Sequence, residues 1–227
     1  MIERVHVIGS GRVGSAIGAR LRERLGEAGV AVGESDTDIV LLCVPDTAIS
    51  DTSRRLTAGR GWIGHVSGAT PLSALAPHER RFSLHPLQTF REPSGDPAQL
   101  AMQLDGAWGA ITGETDEALA VARELAELLG LRPFELAESD RTLYHAGAVF
   151  ASNYLVTLQR AAVRLGVPAE GLVPLMTRTI ENGFELTGPI ARGDWATVDA
   201  HKEAIREAQP ELEPVYEALA EATVALA

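Results

Sequence analysis

The ten residues Val5-His6-Val7-Ile8-Gly9-Ser10-Gly11-Arg12-Val13-Gly14 constrain the fold more than any other stretch of this chain. An apolar run ends in Gly9 and a G-x-G-x-x-G follows at once. Val13, Ile17, Leu21 and Leu25 then recur every fourth residue, with Arg20, Arg22 and Glu23 on other faces. Apolar strand, glycine turn and helix is the setting in which this motif works as a dinucleotide fingerprint. Gly9 makes the tight turn, Gly11 lets a pyrophosphate reach the backbone, and Gly14 lets helix and strand pack closely. Ser10, Arg12 and Val13 complete the turn, and the free N–H groups and positive dipole end of the helix suit phosphates. The plainer alternative is a strand–turn–helix whose glycines are incidental.

After Gly26 and Gly29, Val30-Ala31-Val32 reads as a short second strand. Gly33 to Asp38 leads straight into Ile39-Val40-Leu41-Leu42-Cys43-Val44, an apolar run fit for the middle of a parallel sheet. No room remains between these strands for a crossover helix, so the adenosine side of the site is expected to be reduced. An acidic residue about 20 positions past the glycines commonly binds the ribose hydroxyls; Glu34 is the nearest, or it is a solvated turn residue. No arginine stands there for a 2′-phosphate, which leaves NADP and NAD both open. Val44, Pro45 and Asp46 close the strand on the binding edge of such a sheet. Asp46 either touches the cofactor or caps the next helix.

Trp62 to Val66 predicts the fourth strand, with Ser67-Gly68-Ala69-Thr70 as its carboxyl-end loop. Arg81 to Leu84 predicts the fifth, followed by the loop His85-Pro86-Leu87-Gln88-Thr89-Phe90. Both loops are expected on the edge of Gly9. Ser67 and Thr70 offer hydroxyls there, and Pro86 holds His85 extended. Ala107 to Ile111 is another strand, Thr115 to Leu129 a helix and Leu131 to Leu136 a last strand. Alternating strands and helices predict an α/β, doubly wound, Rossmann-like parallel sheet over residues 1–137, followed by an all-α domain over 138–227.

In the second part Asp140 to Leu165 reads as one long helix, apolar nearly all round, which neighbours or a second subunit must bury. His145, Val149, Ser152 and Asn153 fall on one face of it, and Asn153 bonds either a neighbouring helix or a substrate. The next helix carries Pro174, tolerable in a first turn. A loop from Leu186 to Asp194 precedes the helix Trp195 to Ala208, for which Asp194 is an ordinary N-cap. The formal charge of −11 argues against nucleic acid and anionic membranes as partners. The apolar runs fall short of the ~20 residues that span a bilayer. The single Cys43 lies in a strand, as expected of a cytoplasmic protein. No spacing among the six histidines fits a metal site.

The stretches Gly9–Gly14, Val44-Pro45-Asp46, His85-Pro86-Leu87-Gln88-Thr89-Phe90, His145 through Asn153-Tyr154, and Leu186-Thr187-Gly188-Pro189-Ile190-Ala191-Arg192-Gly193-Asp194 resemble a bacterial family. That family joins a Rossmann-like domain to a helical domain of unknown function, and the likeness covers nearly the whole chain. Its layout is similar to 6-phosphogluconate dehydrogenase, pyrroline-5-carboxylate reductase and ketopantoate reductase. The resemblance implies NADP(H) chemistry on a small acid and a homodimer formed through the helical domain. The catalytic lysine frequent in that superfamily's long helix is absent, and His145 stands near its place.

Two function classes follow. A nicotinamide-dependent reductase of a small anionic keto acid needs a proton donor and a cationic carboxylate site. His145 suits the donor, with His85 and the chain's one lysine, Lys202, as alternates. Asn153 would orient the carbonyl, while Ser67, His85, Gln88, Arg192 and Asp194 would hold substrate, Arg192 through its bidentate fork. The plain alternative makes His145 and Asn153 helix-packing groups and Arg192 a loop tether. The other class is a non-catalytic dimer that binds a nucleotide or metabolite, favoured by the shortened second strand. Among substrates, 2-dehydropantoate is implied by the resemblance, and a pyrroline-5-carboxylate-like imine is its rival.

Overall fold

The computed structural model describes the whole chain apart from residues 32, 34–36, 58–60, 91–95 and 227. Val32 and Glu34 therefore lie outside the described residues. The chain divides into two compact units, Met1–Val149 and Phe150–Ala227.

The first unit runs β1 (Val5–Ile8), α1 (Arg12–Leu25), β2 (Ile39–Leu42), α2 (Asp46–Arg55), β3 (Trp62–His65), β4 (Arg81–Leu87), α3 (Pro97–Met102), β5 (Trp108–Gly113), α4 (Asp116–Leu128) and β6 (Arg132–Glu135). Helix α5 (Arg141–Ala151) crosses the division between the units. The six strands lie in sequence order in one sheet. Alternation along each strand feeds two faces. Ile39, Leu41, Trp62, Phe82 and Leu84 pack with Ile17 and Leu21 of α1 and Ala122 and Leu125 of α4. Leu42 and Ile63 pack on the other side with Ile49 of α2, Leu72 and Leu75. Helices on both faces give the doubly wound arrangement. Phe82 is fully buried, and its ring fills the slot above Gly64, where a Cβ would come within 2.6 Å of it. Burying such a side chain stabilises the fold by about 1.5–3 kcal/mol.

Three features of the sheet differ from expectation. In the expected second strand the described residues make one parallel bridge, Val5 with Val30, and an Ala31 N–H to Val5 carbonyl bond of 3.0 Å. The fifth strand extends through His85, Pro86 and Leu87, which had read as loop. Pro86 is tolerated because the pairing of β4 with β3 ends at Ser83, leaving β5 as the one strand neighbour at that point among the described residues. The sheet is also not parallel throughout: β5 pairs antiparallel to β4, with His85 opposite Ala110, and β6 runs parallel to β5.

The second unit is helical among its described residues: α6 (Asn153–Arg164), α7 (Ala169–Glu181), α8 (Trp195–Ala208) and α9 (Glu213–Leu226). The expected long helix over 140–165 is interrupted at Ser152, whose backbone leaves helical geometry (φ −120°, ψ −71°). Its hydroxyl donates to Asn153 Oδ1 at 3.0 Å. Pro174 sits inside α7 rather than in its first turn. The carbonyl it leaves unpaired, four residues earlier, belongs to exposed Glu170, so water can satisfy it. Leu172, Val198 and Ile205 are buried, whereas Phe150, Val173 and Phe184 are about two-thirds or more exposed. No helix among the described residues is long and apolar enough to cross a membrane.

Candidate functional site

The glycine turn has the geometry the motif demands. Gly9 adopts φ +117°, and a Cβ there would stand 2.2 Å from the Cys43 carbonyl oxygen, since the Cys43 N–H bonds Ile8 directly beside it at 2.7 Å. A Cβ on Gly14 would lie 2.0 Å from the Gly9 carbonyl oxygen, so α1 reaches the strand end because that position has no side chain. Among the described residues, Gly11 meets nothing within 4 Å. As N-cap of α1 it offers no side-chain cap, and the first turn holds no acidic residue. Ser10 and Arg12 are exposed beside it and Val13 is half-buried. Two tight glycines below and an open one above form a cradle for an anionic group on a positive helix end, and the pyrophosphate of a dinucleotide fits it.

Val44, Pro45 and Asp46 follow β2 on the same edge. Asp46 does not cap: Pro45 is the N-cap of α2, without a side-chain bond, and Asp46 already belongs to the first turn. It is exposed there.

Where β3 and β4 approach this edge, a polar cluster is held by α5. Arg141, at the start of α5, is 3 % exposed. Its Nη1 donates to Ser83 Oγ at 2.6 Å and Thr112 Oγ1 at 3.0 Å, and its Nη2 to the Ser67 carbonyl at 2.6 Å. Its Nε has no hydrogen-bond partner among the described residues, and its ion-pair carboxylate, Glu138, stands 3.9 Å away. One turn on, the Tyr144 hydroxyl bonds His85 Nδ1 at 2.9 Å. The Tyr144 ring stands edge-on to His85 and to Phe134 of β6, at centroid distances of 5.6 and 5.8 Å. His145 stands edge-on to His85 at 5.9 Å. Gly68 makes room for both imidazoles: a Cβ there would be 2.7 Å from His145 and 3.0 Å from His85.

Burial dominates the electrostatics. It lowers His85 to about 4, helped by His145 and Arg141 and opposed by Asp46. Burial, with Arg141 next, lowers His65 to about 3. Tyr144 is raised to about 12 by burial, against the pull of Arg141. The three rings are therefore neutral at physiological pH, around a buried cation.

Of the residues singled out from sequence, His85 and His145 are brought together. The Ser67 hydroxyl is spent on its own loop, accepting from Ala69 and Thr70 N–H groups and bonding Thr70 Oγ1 at 2.9 Å. Gln88 is exposed and bonds the Thr89 N–H. Four residues belong to the second unit. Asn153, expected to be buried and to share a helix with His145, is exposed at the start of α6, past the break at Ser152. Lys202 is ion-paired with Glu217 at 3.7 Å and Asp199 at 4.0 Å. Arg192 is exposed in the loop before α8. Asp194 caps α8 through Thr197, at 3.2 Å to the N–H and 2.7 Å to the hydroxyl. Arg141, Tyr144 and Gly68 were not anticipated. A cation in the first turn of a helix opposes the dipole, and that misfit was the signal Arg141 offered.

The family profile of a domain of unknown function, DUF2520, matches residues 107–223. No curated protein matches the chain. Among solved structures, a Bacteroides fragilis protein described as a candidate NADP oxidoreductase aligns with a TM-score of 0.78 at 18 % identity, covering 99 % of this chain and 98 % of its own. A Thermotoga maritima protein described without an activity aligns at 0.72 and 23 % identity, covering 96 % and 99 %. The 1-pyrroline-5-carboxylate reductase of Streptococcus pyogenes aligns at 0.57 and 17 % identity, covering 98 % of each chain. All three share the fold described here.

Proposed function

This chain belongs to the DUF2520 family, defined by a domain of unknown function, and we propose that it is an NAD(P)-dependent oxidoreductase reducing a small keto acid. The observation that carries the reading is the Gly9–Gly11–Gly14 cradle, tight below and open above, on the sheet edge that His85 and His145 approach. The description of the Bacteroides fragilis structure as a candidate NADP oxidoreductase agrees with it. The bound dinucleotide supplies hydride; the chain's own residues hold the acid and manage the proton. In this reading Gly9 to Gly14 and Val44 to Asp46 seat the cofactor, NADP or NAD. His145 gives the proton to the forming alkoxide. Asn153 orients the carbonyl, and exposed Arg192 pairs the substrate carboxylate through its fork. Lys202, held by two carboxylates, is the weaker donor. The preferred substrate is 2-dehydropantoate.

Two alternatives have an observation each. The Streptococcus pyogenes likeness favours a cyclic imine as substrate. The short second strand, with one bridge among its described residues, favours a binding dimer without turnover. The exposed apolar residues Phe150, Tyr154, Val156 and Phe184 of the helical unit support a second copy of this chain as partner. A compartment without disulfide chemistry, the cytoplasm, suits the lone buried Cys43.

Fluorescence titration with NADH and NADPH, then a panel of small keto acids and cyclic imines, tests the proposal. Saturable binding and oxidation by one class is the expected result. No binding of either nucleotide at millimolar concentration refutes the oxidoreductase; binding without turnover on the panel favours the sensor. Arg192→Ala is expected to raise KM chiefly, and an unchanged KM removes Arg192 from carboxylate binding.

A further inference from the structure

We propose that His85 serves this site as a neutral hydrogen-bond donor, presenting Nε2–H to the substrate carbonyl oxygen, and that Tyr144 is the positioning residue that fixes this tautomer by donating its hydroxyl to Nδ1. The inference rests on the reductase reading above and adds a catalytic residue and its protonation state to it.

The geometry is over-determined at each end of the pair. His85 is not on a loop: it lies within β4, paired opposite Ala110, so its backbone is fixed by the ladder. Tyr144 is one turn beyond Arg141, whose guanidinium is tied to Ser83 of the same strand, to Thr112 of β5 and to Ser67 after β3. Those bonds set the height of α5 along β4 and thereby the 2.9 Å contact of Tyr144 with Nδ1. Phe134 packs edge-on against the Tyr144 ring from β6, and Gly68 leaves the space that the His85 imidazole occupies.

A neutral imidazole has one N–H and one lone pair, and the hydrogen bond at one nitrogen decides the other. The groups facing His85 are Arg141, Tyr144 and His145 from α5, Asp46 from α2 and His65 from β3. Burial and the two cationic or imidazole neighbours keep the ring uncharged, outweighing Asp46, and burial keeps the phenol protonated. Of two neutral donors the phenol is the stronger acid, so the stronger bond is O–H to Nδ1. Nε2 then carries the ring proton. A neutral imidazole of this kind polarises a carbonyl without giving up its proton, as in known enzyme sites that keep a histidine uncharged. When the carbonyl carbon accepts hydride, the C=O electron pair moves onto oxygen and the Nε2–H bond to that oxygen strengthens. The neutralising proton comes from His145, so His85 is unchanged at the end.

The test is 15N NMR of the full-length chain, with the six histidine rings assigned by through-bond correlation. At pH 7.5 His85 is expected as the Nε2–H tautomer, and it stays uncharged on titration to about pH 5. In Tyr144→Phe the ring is expected to become a mixture of tautomers, and kcat to fall about 10-fold with KM little changed; His85→Phe is expected to lower kcat about 100-fold. An Nδ1–H tautomer in the unmodified chain, or an imidazolium forming near pH 6.5, overturns the proposal. The tautomer is read without cofactor or substrate. Failed dinucleotide binding therefore sinks the reductase reading, whereas the wrong tautomer with binding intact sinks this inference.

Discussion

Acid should unfold the first unit through two histidines. The imidazoles of His65 and His85 are lowered by burial to about 3 and about 4, from an ordinary value of 6.5. The folded chain thus refuses protons that the unfolded chain takes. The sign follows: this stability is complete above pH 6.5 and is lost as pH falls through 6.5 towards 4 and 3. At pH 5 each unfolded histidine is almost fully protonated and each folded one almost bare. That is about 1.5 pH units at roughly 1.4 kcal/mol per unit, or about 2 kcal/mol each and about 4 kcal/mol together relative to pH 8. Domain stabilities run to about 5–15 kcal/mol, so the effect is large. Urea unfolding at pH 8, 7, 6 and 5 measures it. Buried Trp62 is the reporter, and a Trp195→Phe background restricts the signal to the first unit. The slope near pH 5 should correspond to close to two protons taken up on unfolding. In His65→Asn/His85→Asn, amide groups can accept from the Ser67 N–H and the Tyr144 hydroxyl without titrating. That variant should lose most of the pH slope. A wild-type slope below about half a proton, or the same slope in the double variant, refutes the reasoning.

Gly11→Ala should fold normally, because no described residue lies within 4 Å of its Cβ, yet weaken dinucleotide binding about 10-fold or more by filling the cradle; calorimetric titration checks it. Gly14→Ala should cost on the order of 3–5 kcal/mol in thermal or urea melts, since its Cβ would meet the Gly9 carbonyl at 2.0 Å. Burial raises the Cys43 thiol to about 12, so at pH 8 maleimide should label it only as fast as the protein unfolds, as urea-dependent labelling rates would show. Arg141→Met should destabilise by about 3 kcal/mol, leaving Ser83, Thr112 and the Ser67 carbonyl short of a partner, and should loosen the Tyr144–His85 bond seen by NMR.

Much of the fold was legible because its signals are local. The apolar runs at Val5, Ile39 and Trp62 and the stripe of α4 lie where their patterns put them. Strand direction is not local. Nothing in Trp108–Gly113 says that it runs against Arg81–Leu87; that is decided by what a long connection does between them. Pro86 had marked His85 as loop, since proline is rare in strands, and only the missing neighbour beyond Ser83 makes it acceptable. The cradle was readable because its three glycines are within six residues. Arg141 was not, because its partners lie 58, 29 and 74 residues away. A buried cation is invisible until the elements it joins are in place. The break at Ser152 was hidden for a different reason: the apolar pattern continues through it, and the departure from helical geometry is confined to one residue's backbone.

The reversal at β4 and β5 decides what α5 is for. β5 and β6 run against the first four strands, and the chain leaves β6 level with Leu84 and Ser83, a level that the register carries across His65 and Leu42 to Ile8. To continue, α5 travels back along β4, meeting Ser83 first and His85 a turn later. The change of strand direction sets α5 to run with β4, so that Arg141 and Tyr144 meet Ser83 and His85 in turn.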